Sequence, residues 1–230
     1  MNIIWYGHSC FKIMLGESTL LIDPFLSGSP TYDGTVEAAM EGVTHVALTH
    51  GHDDHVGDTV EICEHTGATL IAVFELATYL NAKGVAKIDP TNTGGTVSHP
   101  GFKITFTPAT HSSSTMIDGN NIYLGNPCGL IVTPDNGPTI YHMGDTDIMS
   151  DMALIEELHH PEIGIVPIGD RFTMGAKSAA LACRKFFNFK SVIPCHYGTF
   201  PIIDADADAF LNEMTGAHVI VPEIGSMGEV

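Results

Sequence analysis

The chain is 230 residues long and carries 27 acidic residues against only 9 lysines and arginines, for a formal net charge of −18. Nucleic-acid binding depends on clustered cations that displace the counterions of phosphate, and the sequence has no such cluster. We therefore expect no nucleic-acid partner. Hydrophobic residues make up 44% of the chain and no linker interrupts them, which predicts a single domain over residues 1–230.

Targeting and redox features favour the cytoplasm. The N-terminal segment lacks the basic start and apolar run of a signal peptide, and no apolar stretch approaches the roughly 18 residues of a membrane span. The 5 cysteines are odd in number and form no CxxC pair, which favours buried thiols in a reducing compartment. We expect a cytoplasmic protein without a membrane partner, and its size and apolar content leave homo-oligomers open.

Strand-like segments dominate the start of the chain. Three strands, rich in β-branched, aromatic and aliphatic residues, are predicted at residues 2–7, 10–15 and 19–23. Strands and helices then alternate, because apolar residues switch between short runs and helical spacing. The predicted order is strand, helix, strand, helix and strand, at residues 44–48, 56–65, 69–73, 75–83 and 102–107.

The same order recurs in the second half. Strands are predicted at residues 121–125, 130–133 and 139–143, and Asn136-Gly137 indicates a hairpin between the last two. Helices at residues 151–159, 176–187 and 204–214 then alternate with strands at 163–167, 191–194 and 218–221. Two halves, each a sheet with helices on one face, can pack sheet against sheet. The predicted fold class is α/β, as a four-layer α/β/β/α sandwich.

A His-x-His-x-Asp-His motif follows the strand predicted at 44–48 and consists of His50, His52, Asp54 and His55. Imidazole and carboxylate groups are the usual protein ligands of zinc-like cations. His50 and His52 project to the same side of an extended backbone, and Asp54 and His55 follow as the chain turns into a helix. This loop can therefore supply ligands to two neighbouring ions.

Further ligands are expected elsewhere, because each ion takes about four ligands and one loop cannot satisfy two ions. His111, Asp145 and His196 each lie just past a predicted strand. Sites in α/β proteins form at such carboxyl ends of strands. The predicted metal ligands are therefore His50, His52, Asp54, His55, His111, Asp145 and His196.

Other polar residues receive weaker predictions. Asp54 and His8 are the predicted catalytic residues. His8 is a candidate for substrate contact or proton transfer to the leaving group, with a hydrogen-bonded structural role left open. Asp23 is predicted to hold the metal loop by hydrogen bonds, against the alternative of a turn residue. Arg171 either binds a substrate carboxylate or phosphate or pairs with an acid such as Asp170.

Tyr197 and Thr199 are predicted to line the pocket. Cys195 precedes a predicted ligand, but a buried, inert thiol is the favoured interpretation. The histidines outside these sets are interpreted as structural or surface residues: His45, His65, His99, His142, His159, His160 and His218.

The order of these ligands resembles the metallo-β-lactamase superfamily over nearly the whole chain. The motif is followed by a lone histidine, an aspartate after a glycine and a last histidine near the C-terminus. A narrower resemblance, to short metal-dependent hydrolases similar to ascorbate-6-phosphate lactonases, rests on four segments: residues 6–9 (YGHS), 22–24 (IDP), 169–175 (GDRFTMG) and 196–201 (HYGTFP).

The superfamily resemblance implies the α/β/β/α fold and a division of the ligands between two ions. His50, His52 and His111 would hold the first ion. The second would be held by Asp54, His55 and His196, with Asp145 bridging both.

Two divalent ions imply a hydrolase that activates water as a metal-bridging hydroxide. The ligands specify the attacking group and leave the bond open, so a small polar or anionic ester, lactone or phosphoester is the expected substrate. Zinc is the leading prediction, and nitrogen and oxygen ligands also suit Mn²⁺, Fe²⁺ or Ni²⁺. Two alternatives stay open: an iron-dependent oxidoreductase of the same fold, and a non-catalytic metal-binding regulatory protein.

Overall fold

The computed structural model describes residues 2–229. Its strands are β1 (Asn2–Trp5), β2 (Phe11–Leu15), β3 (Ser18–Ile22), β4 (His45–Ala47), β5 (Thr69–Val73), β6 (Ile88–Thr91), β7 (Thr96–His99), β8 (Phe102–Pro108), β9 (Ser114–Ile117), β10 (Asn120–Tyr123), β11 (Cys128–Pro134), β12 (Ile140–His142), β13 (Ile163–Pro167), β14 (Ser191–Cys195) and β15 (Met227–Glu229). Its helices are α1 (Val36–Met40), α2 (Asp53–Val56), α3 (Thr59–Thr66), α4 (Phe74–Asn81), α5 (Met152–His159), α6 (Ala176–Phe186) and α7 (Asp208–Glu213).

Two mixed sheets form the centre of the fold. The first has 7 strands in the order β15-β1-β2-β3-β4-β5-β6, and the second has 6 in the order β14-β13-β12-β11-β8-β7. Each sheet is antiparallel where its chain segment begins and parallel where helices connect the strands, as at β3-β4-β5 and β12-β13-β14. The antiparallel hairpin β9-β10 stands apart from both sheets.

Successive side chains along the strands of the second sheet show that one face of this sheet packs on the first sheet and the other on helices. Leu130 and Val132 belong to the core cluster shared with the first sheet, whereas Ile131 between them packs with helices α5, α6 and α7. Ile140 and Tyr141 divide in the same way. Because successive residues of a strand point to opposite faces, the sheets pack against each other and carry helices outside. The predicted four-layer α/β/β/α sandwich is confirmed.

The interior strands lie where the sequence predicts them, and the differences concern edges and helix ends. Strands β6, β7 and β15 were not predicted; each forms a sheet edge. The segment predicted as a strand at 121–125 forms β10 of the separate hairpin, paired with the unpredicted β9. The helix predicted at 204–214 is shorter, at Asp208–Glu213, and the short helix α1 was not predicted.

The helix predicted at 56–65 begins later, as α3 at Thr59, because Gly57, with φ +41°, ends the short preceding helix α2. A Cβ at that position would collide with the backbone oxygen of Pro24. The break therefore lets the metal-binding motif lie close against the turn that follows β3.

The prediction of a strand at 218–221 is wrong. The segment makes a single parallel bridge between Val219 and Val192, with hydrogen bonds from Val192 N to His218 O and from Ile220 N to Val192 O. The next bond along β14 needs an N–H from Pro194, which has none, so pairing stops. Within residues 2–229, no helix is long and apolar enough to span a membrane.

Candidate metal centre

The predicted ligands converge at one end of the sandwich because they follow strand ends. His50 lies shortly after β4, His111 after β8, Asp145 after β12 and His196 directly after β14. Parallel strands place their carboxyl ends along one edge of a sheet, and the two sheets bring two such edges together. The structure thus collects residues up to 146 positions apart in sequence, from His50 to His196.

The motif itself changes conformation partway along. His52 has extended backbone angles and is the residue before the first turn of α2, whereas Asp54 and His55 lie in that turn. This change places His50 and His52 near His111, and Asp54 and His55 near His196, while His50 also lies close to His55 and Asp145. The division of the loop between two ions stays a prediction.

The first group of donor atoms consists of His50, His52 and His111. His52 Nδ1 lies 2.9 Å from His50 Nε2 and 3.2 Å from His111 Nε2. Donors of a tetrahedral zinc ion, each about 2.0–2.1 Å from the metal, lie roughly 3.3 Å from one another. These three nitrogens therefore have the spacing of ligands around a single small cation.

The second group consists of Asp54, His55 and His196, with the ring of His8 beside them, and their donor atoms lie within 4.8 Å of one another. Asp145 lies between the groups. Its Oδ1 is 3.4 Å from His55 Nε2, and its Oδ2 is 3.0 Å from His196 Nε2 and 3.6 Å from His111 Nε2. One carboxylate thus faces ligands of both groups.

Buried polar atoms without partners test whether a cation fits here. His55 Nε2, His196 Nε2 and Asp145 Oδ1 are buried and have no hydrogen-bond partner. Buried polar atoms are nearly always satisfied, and leaving one unpaired costs about 1–3 kcal/mol. These donors are the types that divalent cations prefer, so the residues present fit the metal ions that the sequence predicts.

Hydrogen-bonding groups lie beside the other ring nitrogen of three ligands, His50, His52 and His55, and fix the orientation of those rings. Asp23 Oδ2 lies 2.8 Å from His55 Nδ1, while Asp23 also accepts bonds from Thr49 N at 2.8 Å and Thr49 Oγ1 at 2.6 Å. Thr49 Oγ1 lies 3.0 Å from His50 Nδ1, and Ser112 Oγ lies 3.2 Å from His52 Nε2. Asp23 is thus placed as predicted, against the metal loop.

Burial and charge set the protonation of these groups. Burial lowers the pKa of His50 well below its usual value, which keeps the ring in the neutral form that binds metals. Burial would likewise lower the pKa of His55, but the negative charges of Asp145 and Asp23 outweigh it and raise that pKa well above its usual value. Burial would raise the pKa of Asp145, and the charges of His196 and His55 lower it instead. The surroundings of His55 and Asp145 therefore strongly favour a positive charge between these two side chains.

His8 lies behind Asp54 and is not open to solvent. Its side chain is 0% exposed, with Nε2 3.1 Å from Asp54 Oδ2 and Nδ1 2.8 Å from Thr199 Oγ1. Burial lowers the pKa of His8 to about 4, so the ring is neutral at neutral pH. Of the two interpretations of His8, the hydrogen-bonded one matches this geometry, since direct contact with substrate needs an exposed ring.

Several residues of the centre have left-handed backbone conformations, which side chains other than glycine rarely adopt. They include His8 at φ +48°, Asp23 at +46° and His196 at +57°. Two more, Asp170 at φ +60° and Arg171 at +51°, are consecutive in a neighbouring loop. Strained backbone of this kind clusters at functional sites, where the surrounding contacts hold it in place.

A cleft of about 380 Å³ opens over the centre. Two of its lining residues, Ser112 and Phe172, were not predicted from the sequence. Both are adjacent to predicted residues, which is the only sequence signal they carry. The other lining residues are predicted ligands: His52, Asp54, His111, Asp145 and His196.

Other predicted pocket residues lie elsewhere. Tyr197 packs on Trp5, with ring centroids 5.4 Å apart, and does not line the cleft. Thr199 is buried behind His8, so its predicted pocket position is also wrong. Cys195 is buried, and burial raises the pKa of its thiol well above the usual value, which agrees with an inert cysteine.

Comparisons with known proteins agree with this fold and site. A family model described as Beta-lactamase superfamily domain matches residues 18–197. The UPF0173 metal-dependent hydrolase of Methylocella silvestris is 55% identical over 227 residues, covering 98% of each chain. That of Chelativorans sp. is 59% identical over 229 residues, again 98% of each chain. Igni18, a metallo hydrolase from the archaeon Ignicoccus hospitalis, superposes with a TM-score of 0.87 at 34% identity, covering 99% of this chain and 97% of its own.

The fold, the donor cluster and the matching family model define a protein of the beta-lactamase superfamily. Within it, the chain belongs to the UPF0173 family of metal-dependent hydrolases. The predicted superfamily is thereby confirmed, and the narrower resemblance to ascorbate-6-phosphate lactonases stays a prediction.

Proposed function

We propose that the chain is a hydrolase that uses two divalent metal ions to cleave a small polar or anionic ester, lactone or phosphoester. The observation that carries this proposal is the set of buried, unpartnered donor atoms on His55, His196 and Asp145 at the centre of the ligand cluster. Membership of a family of metal-dependent hydrolases supports the same conclusion.

The proposed ligand sets follow the two groups of donor atoms. His50, His52 and His111 hold one ion. The other ion is held by Asp54, His55 and His196, and Asp145 is shared because its oxygens face both groups. Zinc suits this nitrogen and oxygen donor set, as do manganese, nickel and iron.

When bound, such a pair of ions lowers the pKa of a water molecule to about 7 and polarises a carbonyl or phosphoryl oxygen. The chain's own residues orient the reaction. Asp23 fixes the ring of His55, and the Thr199–His8 pair fixes the carboxylate of Asp54. We propose that Asp54 and His8 contribute to catalysis in this way, Asp54 in the centre and His8 as a positioning residue behind it.

The cleft limits what can react. A volume of about 380 Å³ suits a small molecule and not a folded partner. Two divalent cations exceed the charge of the Asp54 and Asp145 carboxylates, so the loaded cleft is locally positive within an acidic chain. We therefore propose a small-molecule substrate that is polar or negatively charged.

Metal analysis combined with a substrate panel tests this function. We expect protein purified without chelators to contain two ions per chain and to hydrolyse a lactone, carboxylic ester, thioester or phosphoester. EDTA should remove that activity and added zinc or manganese should restore it. Stoichiometric iron with oxygen uptake would replace this proposal with an oxidoreductase, and silence across the panel with every metal would favour a non-catalytic binding protein.

A further inference from the structure

The loop that follows β13 is pressed against the metal centre. A Cβ at Gly169 would collide with the backbone oxygen of His196, so only glycine allows this approach. The loop is tied down on both sides, by hydrogen bonds from Met174 N to Thr146 O at 3.2 Å and from Asp204 N to Gly169 O at 2.9 Å. Its position relative to the ligands is therefore fixed by backbone contacts.

Within this loop, two consecutive residues adopt left-handed conformations. Asp170 has φ +60° and Arg171 has φ +51°, and arginine has no local side-chain bond that favours such a backbone. Conformations of this kind cost free energy and persist where surrounding contacts impose them. Their effect here is to turn Phe172 into the cleft, where it forms part of the wall.

Arg171 has no acidic partner among the side chains of residues 2–228, although the chain has three times as many acidic as basic residues. No carboxylate oxygen of these residues lies within 4.0 Å of its guanidinium, and the one Lys or Arg ion pair among them joins Lys190 to Glu162. The carboxylate of Asp170 turns back towards Gly175, where an added Cβ would lie 3.2 Å from its Cγ. Pairing with Asp170, the alternative left open by the sequence, is therefore wrong.

Arg171 is not itself a lining residue of the cleft, but its guanidinium lies over the ring of the lining residue Phe172, with its central carbon 5.7 Å from the ring centroid. A cation at this distance from an aromatic face is held in place while its N–H groups stay free. Arginine presents those donors as a planar fork that matches the oxygens of carboxylate and phosphate.

We propose that Arg171 forms an anion-binding subsite that recognises a carboxylate or phosphate group on the substrate, with Phe172 as the platform beneath the guanidinium. This inference rests on the proposed hydrolase and narrows its substrates to molecules that carry an anionic group in addition to the scissile bond. Arg171 binds the substrate and takes no part in bond cleavage.

A binding assay separates this claim from hydrolysis. The probes are ω-mercaptoalkyl carboxylates of increasing chain length, the matching phosphonates and the matching neutral amides; in each the thiol serves as the metal ligand. Their dissociation constants are measured by calorimetry on the zinc-loaded full-length protein. The variants are Arg171→Gln, Arg171→Lys and the matched control Arg184→Gln, which removes the chain's other arginine from helix α6.

At the best chain length, we expect wild type to bind the anionic probe about tenfold more tightly than the amide, as a charge-assisted hydrogen bond predicts. Arg171→Gln should lower that ratio severalfold, to the preference that the metal charge alone gives, Arg171→Lys should lower it less, and Arg184→Gln should leave it unchanged. Comparison of the carboxylate and phosphonate arms identifies which anion fits.

An undiminished preference in Arg171→Gln, or no preference in wild type at any chain length, overturns the subsite and leaves the hydrolase proposal intact. If no thiol binds to the zinc-loaded protein, no zinc ion is accessible from the cleft, which overturns the subsite and contradicts the hydrolase proposal. Unchanged zinc content in Arg171→Gln, measured alongside, excludes a loss of the metal as the cause of weaker binding.

Discussion

The metal centre has an open side and a closed side, and they differ in what holds their ligands. On the open side, His52 and His111 are partly exposed and line the cleft. On the closed side, His55 and His196 are buried, although His196 and Asp54 also border the cleft, and a hydrogen bond to Asp23 orients the His55 ring. Unpartnered buried atoms occur on the closed side, at His55 Nε2 and His196 Nε2.

This difference indicates separate tasks for the two proposed ions. The closed side leaves buried donors unsatisfied without a cation, so a metal there stabilises the fold as well as the chemistry. Both sides border the cleft, but the open side does so through two partly exposed histidines, so we expect its ion to be the more accessible to substrate. Asp145 joins the sides, and its loss should therefore have the largest effect.

Asp145→Ala should abolish hydrolysis and lower the metal content of both sides, because its two oxygens face ligands of each group. Mutation of a residue that only hydrogen-bonds to a metal ligand typically lowers activity roughly 10–100-fold. We expect the loss of kcat/KM in Asp145→Ala to be larger. Steady-state kinetics and elemental analysis measure it. Asp147→Ala, an exposed aspartate two residues on, is the control and should behave as wild type; wild-type turnover in Asp145→Ala would refute the shared role.

His52→Ala should remove the open-side ion and leave one ion per chain. Turnover should be lost, while thermal stability should stay near that of the loaded wild type because the closed-side donors keep their cation. Elemental analysis and thermal unfolding test this directly. His55→Ala is the matched comparison and should also lower the unfolding midpoint; equal midpoints for the two variants would remove the distinction between sides.

Asp23→Ala should weaken metal binding on the closed side by about 10–100-fold, since it removes the bond that orients His55 and the support of Thr49. Competition with a chelating dye measures the affinity of each ion. Asp58→Ala is the control, because Asp58 accepts hydrogen bonds from the backbone N–H groups of Leu26 and Ser27 and hydrogen-bonds to none of the proposed ligands. An equal loss of affinity for both ions would contradict an effect that is specific to the closed side.

His8→Ala should spare both ions and lower kcat by about tenfold, because Asp54 loses the hydrogen bond that fixes its carboxylate. KM should change little, since the ring is buried behind the cleft. Thr199→Ala, which frees the far side of the same ring, should give a smaller effect in the same direction. Loss of metal in His8→Ala would make His8 a ligand, and unchanged kcat would leave it purely structural.

The ligands of the centre and the rim of its cleft differ in how far the sequence predicts them. Every proposed ligand lies at the end of a buried strand or the start of a helix, where apolar patterning gives a clear signal. Rim residues such as Ser112 and Phe172 carry no pattern, because a cleft wall is defined by tertiary contacts. The left-handed backbones of His8 and Asp23 are likewise imposed by packing and not by local preference.

The sheets follow the same rule. Interior strands such as β5 and β13 are continuous apolar runs and were predicted correctly, whereas edge strands β6, β7 and β15 are short and partly polar. Pro90 within β6 shows why, since an edge strand tolerates a residue without an N–H and an interior strand does not. Sequence patterns therefore predict the centre of the sandwich better than its borders.

Anomalous diffraction at metal absorption edges, on crystals of protein purified without chelators, tests the central claim most directly. We expect two peaks roughly 3.5–4 Å apart, one among His50, His52 and His111 and the other among Asp54, His55 and His196, with Asp145 between them. A single peak would reduce the centre to one ion. No peak, after soaking with zinc, manganese, nickel and iron, would contradict the account.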